Sequence, residues 1–584
     1  MPTLEWIGKD KVINHHQAVP YRVLKRVYSF DEKGQHEEDN GSRNMIIHGD
    51  NLEALKSLLP QYEGKVKCIY IDPPYNTGNE GWVYNDNVND PKIKKWLGAV
   101  VGKEGEDLSR HDKWLCMMYP RLKLLYKLLD ESGVIFISID DTECATLKLV
   151  CDEIFGTNCF VTNISWQRTY STRNDSKGIV NEVEHILAYS KSPGWQPNKL
   201  PRTDEMNSKY KNPDNDVALW RTDNPCAPGA ATHQGMVYAI QHPFTGKFLY
   251  PSMKACWRYQ QDTMLEIMNG WAKYKLMDLD DAVKRAAVCG IPVQDVRAGV
   301  PGIVLAEPLE DAQRHAKEVL VRGPWPKFFF TRSGKGGIAR KTYLKNVGGK
   351  LPTNLWLYSD TGHTDEAQKE LKAIFAGASP FDTPKPSRLV EYLLQVAGNE
   401  RTLILDSFAG SATTAHAVLK KNKADGGERK FILIELGDYA DTITAERVKR
   451  VIIGYTADGK SVEGTGGSFC YYELGEPLLT EEGDLNEAVE EEQIRAYIWY
   501  METRTDMPAE GNGNPHYLGT HNATAYYFYY EKGNVTTLNH AFLATIPNRE
   551  ESTVIYADRC TLSESTLAKY GIVFKKIPRD ITKL

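Results

Sequence analysis

Two stretches of the chain alternate short apolar runs with amphipathic segments, and a long stretch between them does not. From Met45 to about Ser192, Val66–Ile71, Gly133–Ile139 and Ile186–Ser190 read as strands. Trp114–Leu129 places Leu115, Met118, Leu122, Leu125 and Leu129 on one helical face, and Glu143–Phe155 has the same period. The alternation stops near residue 195. It resumes with a helix at Ser387–Ala397, a strand at Thr402–Leu405, a helix at Ala412–Lys421 and a strand at Phe431–Glu435. Strands alternating with helices predict a parallel sheet covered by helices. The expected fold is thus α/β, one doubly wound sheet split by an insertion.

The pattern divides the chain into five parts. Residues 1–43 are polar and mixed, and are expected to form a peripheral extension. Residues 44–194 and 351–460 form the two halves of the sheet domain. Residues 195–350 are the insertion, rich in Pro, Gly and aromatics, with one helix-like stretch at Gln261–Val288. Residues 461–584 begin acidic, pass a linker candidate at Asp506–Pro515, and end in a small α+β domain.

Composition narrows the function. The chain has 584 residues, with 71 Lys+Arg against 77 Asp+Glu, a net charge of −6. That balance argues against an arm-type nucleic-acid binder and leaves a local basic groove open. Nine of the acids fall in Glu473–Glu492, which holds no base, and without that segment 71 − 68 gives +3. Such a run reads first as a solvated face. The ten cysteines contain no C-x-x-C pair and read as reduced thiols of a cytosolic protein. No apolar run is long enough to span a bilayer, and the first residues lack the apolar core of a signal peptide. A cytoplasmic protein away from membranes is expected. His15, His16 and His48 have no partner at metal-ligand spacing, so no metal is expected.

Two loops carry candidate chemistry. In Ile69–Gly78 an apolar strand runs directly into Asp72-Pro73-Pro74-Tyr75. Ligands of open α/β sheets bind at the carboxyl ends of strands. Two prolines stiffen the loop, because each fixes φ and lacks an N–H. A stiff loop can aim a carboxylate, a carbonyl and an aromatic face at a flat base with an exocyclic amino group. The alternative is a plain turn with a tyrosine lid. In Ile404–Val418 a strand ends at Asp406, a loop of small residues follows (Ala409, Gly410, Ser411, Ala412), and a helix begins. Small residues let a ligand approach a helix N-terminus, although ordinary tight βα packing looks the same. The next strand ends in Glu435, where an acid accepts ribose hydroxyls.

Together these loops resemble the amino-methyltransferases of DNA. Asp72-Pro73-Pro74-Tyr75 is similar to their catalytic motif. Phe408-Ala409-Gly410-Ser411-Ala412 is similar to their S-adenosylmethionine (SAM) loop F-x-G-x-G, departing at Ala412, where the second glycine is usual. Phe381–Pro386, with Thr383, Lys385 and Pro386, resembles the accessory SAM motif. His48–Leu55 resembles the segment before the catalytic strand, which makes Asp50 a candidate for the cofactor's adenine end. Val183–Leu187, leading to Tyr189 and Lys191, resembles the strand closing the first half. The catalytic motif precedes the SAM motif, as in the β class, whose insertion is the target-recognition domain. With His242–Ser252, Cys256-Trp257-Arg258 and Gly571–Ile581, the chain resembles the modification (Mod) subunit of Type III restriction–modification systems over residues 44–584.

The resemblance implies a Rossmann-like SAM-dependent methyltransferase fold in circularly permuted order. It implies methyl transfer to the N6 amino group of adenine in double-stranded DNA, a homodimer, and a separate Res helicase–nuclease partner. Asp at position 72 favours adenine, since Ser is commoner in enzymes acting on cytosine N4. Cytosine-N4 methylation and a non-catalytic recognition subunit are the alternatives. No G-x-x-x-x-G-K-[ST] occurs, so ATP-driven restriction would need the partner. DNA contacts are expected in Pro324–Lys345, with Lys327, Arg332, Lys335, Arg340 and Lys341 the candidates; a solvated loop beside a small aromatic core is the competing reading of that stretch.

Overall fold

The structure is a computed structural model. It describes residues 3–77, 110–170 and 179–579, apart from 458, 481, 506, 509, 510, 512 and 547–549. Part of the Asp506–Pro515 linker candidate lies outside the described residues. The chain forms two compact units. One comprises residues 1–198 and 352–584, the other Lys199–Leu351.

The first unit is built on an 11-stranded sheet. Its six central strands are mutually parallel, in the order Leu129–Ile139, Val66–Ile71, Leu403–Asp406, Lys430–Glu435, Met45–His48, Phe469–Pro477. Strands covered on both faces need unbroken apolar runs. Accordingly Ile69, Ile71, Ile404, Leu405, Ile432 and Ile434 are wholly buried. Each such side chain contributes about 1.5–3 kcal/mol over its exposed state.

Chain order and sheet order diverge where function will sit. Val66–Ile71, from the first half, lies beside Leu403–Asp406, from the second, with Ile404 opposite Cys68 and Leu405 opposite Ile69. Both strands point the same way. Asp72 and Asp406, more than 300 residues apart in sequence, therefore emerge at one edge of the sheet.

Three expectations need correction. Residues 1–43 are not a peripheral extension. Arg22–Asp31 and Gly34–His36 are strands of the main sheet, and Val12 is fully buried in its core. The expected Gln261–Val288 helix is two helices, Gln261–Met268 and Ala282–Cys289, separated by the strand Tyr274–Met277. The break falls at Asn269-Gly270, whose glycine lies against Pro326, and the strand pairs with Gly302–Leu305. The acidic run Glu473–Glu492 is no single solvated face either. Glu473 lies in the Phe469–Pro477 strand beside His48, and Glu487 pairs with Arg579 at 3.0 Å.

The second unit has its own core of Trp220, Tyr238, Trp257, Trp271 and Phe328–Phe330. Its first and last residues meet. Leu200 and Lys350 exchange two backbone hydrogen bonds, at 2.7 and 2.9 Å. The unit carries 23 Lys+Arg against 15 Asp+Glu, a net charge of +8 in a chain of −6. Within the first unit, Thr524–Phe528, Ser552–Ala557 and Ile572–Lys576 are the parallel strands of a small four-stranded sheet, with Tyr517–His521 antiparallel at its edge. Among the described residues no helix is long and apolar enough to cross a membrane. No group of three metal-ligating side chains occurs among them, and all ten cysteines are unpaired.

Candidate active site

A cavity of about 330 Å³ opens at the carboxyl edge where the two half-domains meet, a size suited to a small-molecule ligand. Asp72 and Pro74 line one part of it, Thr383 and Lys385 another, Asp406 and Phe408–Ser411 a third, and Glu435–Tyr439 a fourth. Four of the expected residues do not line it. Asp50 instead caps the helix Asn51–Tyr62, accepting from Leu52 N–H at 2.8 Å, and faces Arg121 at 3.4 Å. Its neighbours Asn51 and Arg121 line the cavity in its place. Pro386 starts the helix Ser387–Ala397. Pro73 is buried behind the loop, and Tyr75 packs into the core.

The catalytic-motif loop is held from several sides. The Trp114 indole donates to the Pro74 carbonyl at 2.6 Å. Asn76, with φ 61, donates to the buried Glu143 carboxylate at 2.5 Å. Lys385 Nζ grips both Asp72 oxygens at 2.8 and 2.7 Å, and meets the Tyr75 hydroxyl at 2.9 Å. That hydroxyl lies 2.8 Å from Asp72 and 3.1 Å from Glu184. Glu184 is also 3.6 Å from Lys385 and takes a bond from Arg168 at 3.0 Å.

Burial pushes the Asp72 carboxyl above the usual range, and the Lys385 ammonium partly offsets this. Burial would lower Lys385, but Asp72 and Glu184 outweigh it and hold the lysine above its ordinary value. Lys385 was expected at the cofactor; here it also holds the catalytic carboxylate. Sequence reasoning gave Glu184 no role. Its only signal was its place in the Val183–Leu187 segment.

The cofactor loop is organised by its own acids. Asp406 accepts from Phe408 N–H at 3.1 Å and from the Thr414 hydroxyl at 2.6 Å, tying the strand end to the next helix. Burial pushes it up to about 7. Glu435 accepts from Gly410 N–H at 2.7 Å, Gly437 N–H at 2.8 Å and the Tyr439 hydroxyl at 2.5 Å. Burial pushes it up to about 8, against the pull of the Gly437 and Gly410 N–H groups. Gly410 has φ 50, and a Cβ there would come within 3.0 Å of the Phe381 ring. These residues fit SAM. A buried acid stands where ribose hydroxyls need an acceptor, small residues leave the loop backbone approachable, and Phe381 and Tyr439 offer apolar faces to an adenine.

Ala412, the departure from F-x-G-x-G, has φ 63 and ψ 36 and is fully buried at the start of the helix Thr413–Asp425. The glycine usual there meets a left-handed backbone, which alanine adopts at a cost of about 1 kcal/mol. Two groups beyond the loop grip it. The Thr444 hydroxyl, on the π-helical turn Ala440–Ala445, donates to the Gly410 carbonyl at 2.6 Å. Arg447, from the next helix, bonds the Ser411 hydroxyl at 2.9 Å and the Thr413 hydroxyl at 3.0 Å. Ala412→Gly is expected to raise stability by about 0.5–1 kcal/mol with cofactor affinity kept, measurable as a shift in denaturant midpoint. A fall in stability would show that the methyl group is needed.

The five DNA candidates separate. Lys341 is fully buried, bonded to Asp214, Asp216 and, at 2.7 Å, the Trp325 carbonyl, so it is a core ion pair and no DNA contact. Arg340 is paired to Asp223 across the sheet. The strand alternates, so Ala339 and Lys341 face inward; basicity alone could not show this. Lys327, Arg332 and Lys335 are exposed.

Comparison with known proteins identifies the family. The family profile described as DNA methylase matches residues 66–275 and 303–446. The chain is 31% identical over 513 residues to the Mod subunit of the Type III restriction–modification enzyme StyLTI of Salmonella typhimurium, covering 83% of this chain and 68% of the relative. It is 29% identical over 457 residues to the EcoP15I Mod subunit of Escherichia coli, covering 75% of this chain and 64% of that one. The chain thus spans about two thirds of the length of these relatives. A solved structure of the cytosine-N4-specific PvuII DNA methyltransferase matches at a TM-score of 0.29 and 13% identity, over 70% of this chain and 86% of that one. With the profile covering both halves of the sheet domain and the Mod similarity running through most of the sequence, the chain belongs to the DNA methylases, among the Mod subunits of Type III restriction–modification enzymes.

Proposed function

We propose that this chain methylates the N6 amino group of adenine at a specific site in double-stranded DNA. The observation that carries the reading is the placement of Asp72 and Glu435 in one cavity, on strands from opposite halves of the chain. Bound SAM supplies a methyl group on a positively charged sulfur. Asp72 accepts one amino hydrogen of a flipped-out adenine and the backbone carbonyl of Pro73 accepts the other, its ring lying behind the loop. Two acceptors draw the nitrogen towards tetrahedral geometry and free its lone pair for in-line attack. To stack on the base the Tyr75 ring, which packs into the core here, has to turn out into the cavity. The methyl group leaves sulfur, which becomes a neutral thioether, and the nitrogen, now with four substituents and positively charged, gives its surplus proton to Asp72. Asp72 Oδ2 takes a bond from Lys385 alone, which leaves it a lone pair for the amino hydrogen, and Glu184 offers the lysine a second carboxylate at 3.6 Å.

Digestion of methylated DNA to nucleosides, with mass spectrometry of the product, tests the base. N6-methyladenosine is the expected product, and N4-methylcytidine would overturn the adenine assignment. Glu435 gives a second test. An acid at about 8 is mostly protonated at pH 7, and ribose hydroxyls bind its ionised form. SAM affinity by calorimetry should rise up to about tenfold between pH 7 and 9 and then level. Glu435→Gln should weaken binding and flatten that rise. An unchanged profile in the variant would remove Glu435 from the cofactor site.

The Mod reading extends to assembly. The chain works as a homodimer in the cytoplasm, and restriction requires a Res helicase–nuclease, since the sequence has no phosphate-binding loop of its own.

A further inference from the structure

In the insertion, Phe328–Phe330 and Ile338–Tyr343 form an antiparallel ribbon, flanked by Trp220–Asp223. The connecting residues Thr331–Gly337 hold an uncommon backbone. Arg332 (φ 50, ψ 49), Ser333 (φ 51, ψ 46) and Gly334 (φ 84) are left-handed in succession. Residues with side chains visit that region singly, so this turn is sterically disfavoured. Such strain persists only where the surroundings over-determine it, and it collects at ligand-contacting segments.

The surroundings are built for it. His242, 3% exposed, donates from Nε2 to the Gly336 carbonyl at 3.1 Å. Its Nδ1 accepts from Phe244 N–H at 3.1 Å, which fixes the tautomer, and its ring lies 4.5 Å from that of Phe330. The Phe244 ring lies directly beneath Gly334, where a Cβ would come within 2.8 Å. Gly336 N–H donates to the Thr331 carbonyl at 2.8 Å, and Thr331 N–H to the Gly337 carbonyl at 3.0 Å. The His242–Ser252 segment thus buttresses the ribbon's tip, while Arg332, Ser333 and Lys335 face outward.

Resting on the reading that the chain methylates duplex DNA, we propose that this tip reads the target sequence by entering the major groove, with Arg332 on a guanine edge and Lys335 on an adjacent phosphate. The major groove admits a two-stranded ribbon, and arginine pairs bidentately with guanine O6 and N7. A phosphate contact needs charge alone, which a mobile lysine supplies. A base contact needs direction, and a turn locked by His242 and Phe244 supplies direction. The +8 of the insertion supplies the attraction.

The test uses the full chain. Methylated-base sequencing of DNA from cells expressing the wild type gives the motif. Duplexes carrying the motif or a scrambled sequence are then titrated with wild type, Arg332→Ala, His242→Ala and His242→Gln, and SAM affinity is measured for each. Arg332→Ala is expected to lose about tenfold or more on the motif duplex and little on the scrambled one, and to accept any base pair at one guanine position. His242→Ala should behave alike, while His242→Gln, which keeps an N–H donor, should retain the motif. SAM affinity should stay unchanged throughout. Equal losses on both duplexes, or an unaltered motif in Arg332→Ala, would overturn the tip's role with the methylation reading intact. A wild type that leaves DNA unmethylated would overturn both.

Discussion

Asp72→Ala is expected to lose about 10³-fold or more in methyl transfer, the scale of deleting a placed acceptor of a reacting proton, with SAM binding kept within about tenfold. The argument rests on the network around the carboxylate. Asp72 stands at the end of its strand with Lys385 on both oxygens and Tyr75 on one. Removing it takes the acceptor from the amino group and leaves Lys385 to Glu184, 3.6 Å away. The lysine keeps a carboxylate partner, so the fold should survive. Asp72→Asn keeps a carbonyl acceptor and loses the charge that holds Lys385, and should fall between wild type and alanine. Calorimetry for SAM beside a radiolabelled methyl-transfer assay separates the roles. Normal turnover by Asp72→Ala would remove Asp72 from the chemistry, and loss of SAM binding in step with activity would reassign it to the cofactor.

Arg447→Met should cost about 3–5 kcal/mol of stability and at least about tenfold in SAM affinity, although Arg447 does not line the cavity. Its guanidinium is fully buried, bonded to Ser411 and Thr413 on one side and to Glu370 at 3.2 Å and His416 at 3.1 Å on the other. Breaking a buried pair by removing one partner leaves an uncompensated charge. The charge left is Glu370. Against burial, His416, Arg447, Lys420 and the Ser387 hydroxyl hold it down to about 2. In the wild type its stabilisation is complete above about pH 4.5 and is lost as pH falls towards 2. In the variant Glu370 moves up, and the penalty acts above pH 4.5 and fades below it. Urea unfolding should therefore show a larger deficit at pH 7 than at pH 4. A deficit independent of pH would mean that packing, and not charge, is what Arg447 provides. SAM affinity equal to wild type would separate the guanidinium from the cofactor loop.

The sequence reveals what is local. The strands at Val66–Ile71 and Phe431–Glu435 are legible because a strand covered on both faces must be apolar throughout. Asp72 and Glu435 are legible because each directly follows or closes such a run. The helix Ser387–Ala397 matches its expected bounds, since its apolar period is unbroken. Contacts over long separations left no local mark. Lys385 meets Asp72 across 313 positions, and Arg447 reaches Ser411 across 36. Residues 1–43 looked peripheral because the buried positions of Arg22–Asp31, Val23 and Tyr28–Phe30, follow no strict alternation and are interrupted by exposed Lys25 and Val27. Asp50 caps its helix and Asn51 lines the cavity, a difference hidden in the sequence because a helix cap and a pocket acid look the same there. Lys341 was misread through its charge, although alternation with Ala339 already turned it inward.

The insertion is closed at its neck, where Leu200 and Lys350 bond each other before the chain returns to the sheet. A segment whose ends already meet can be lengthened, shortened or replaced at little cost to its host. Selection can then act on residues 199–351 as a cassette. Changes within it leave the sheet domain's grip on the methyl donor untouched, so the two units can vary in sequence at different rates.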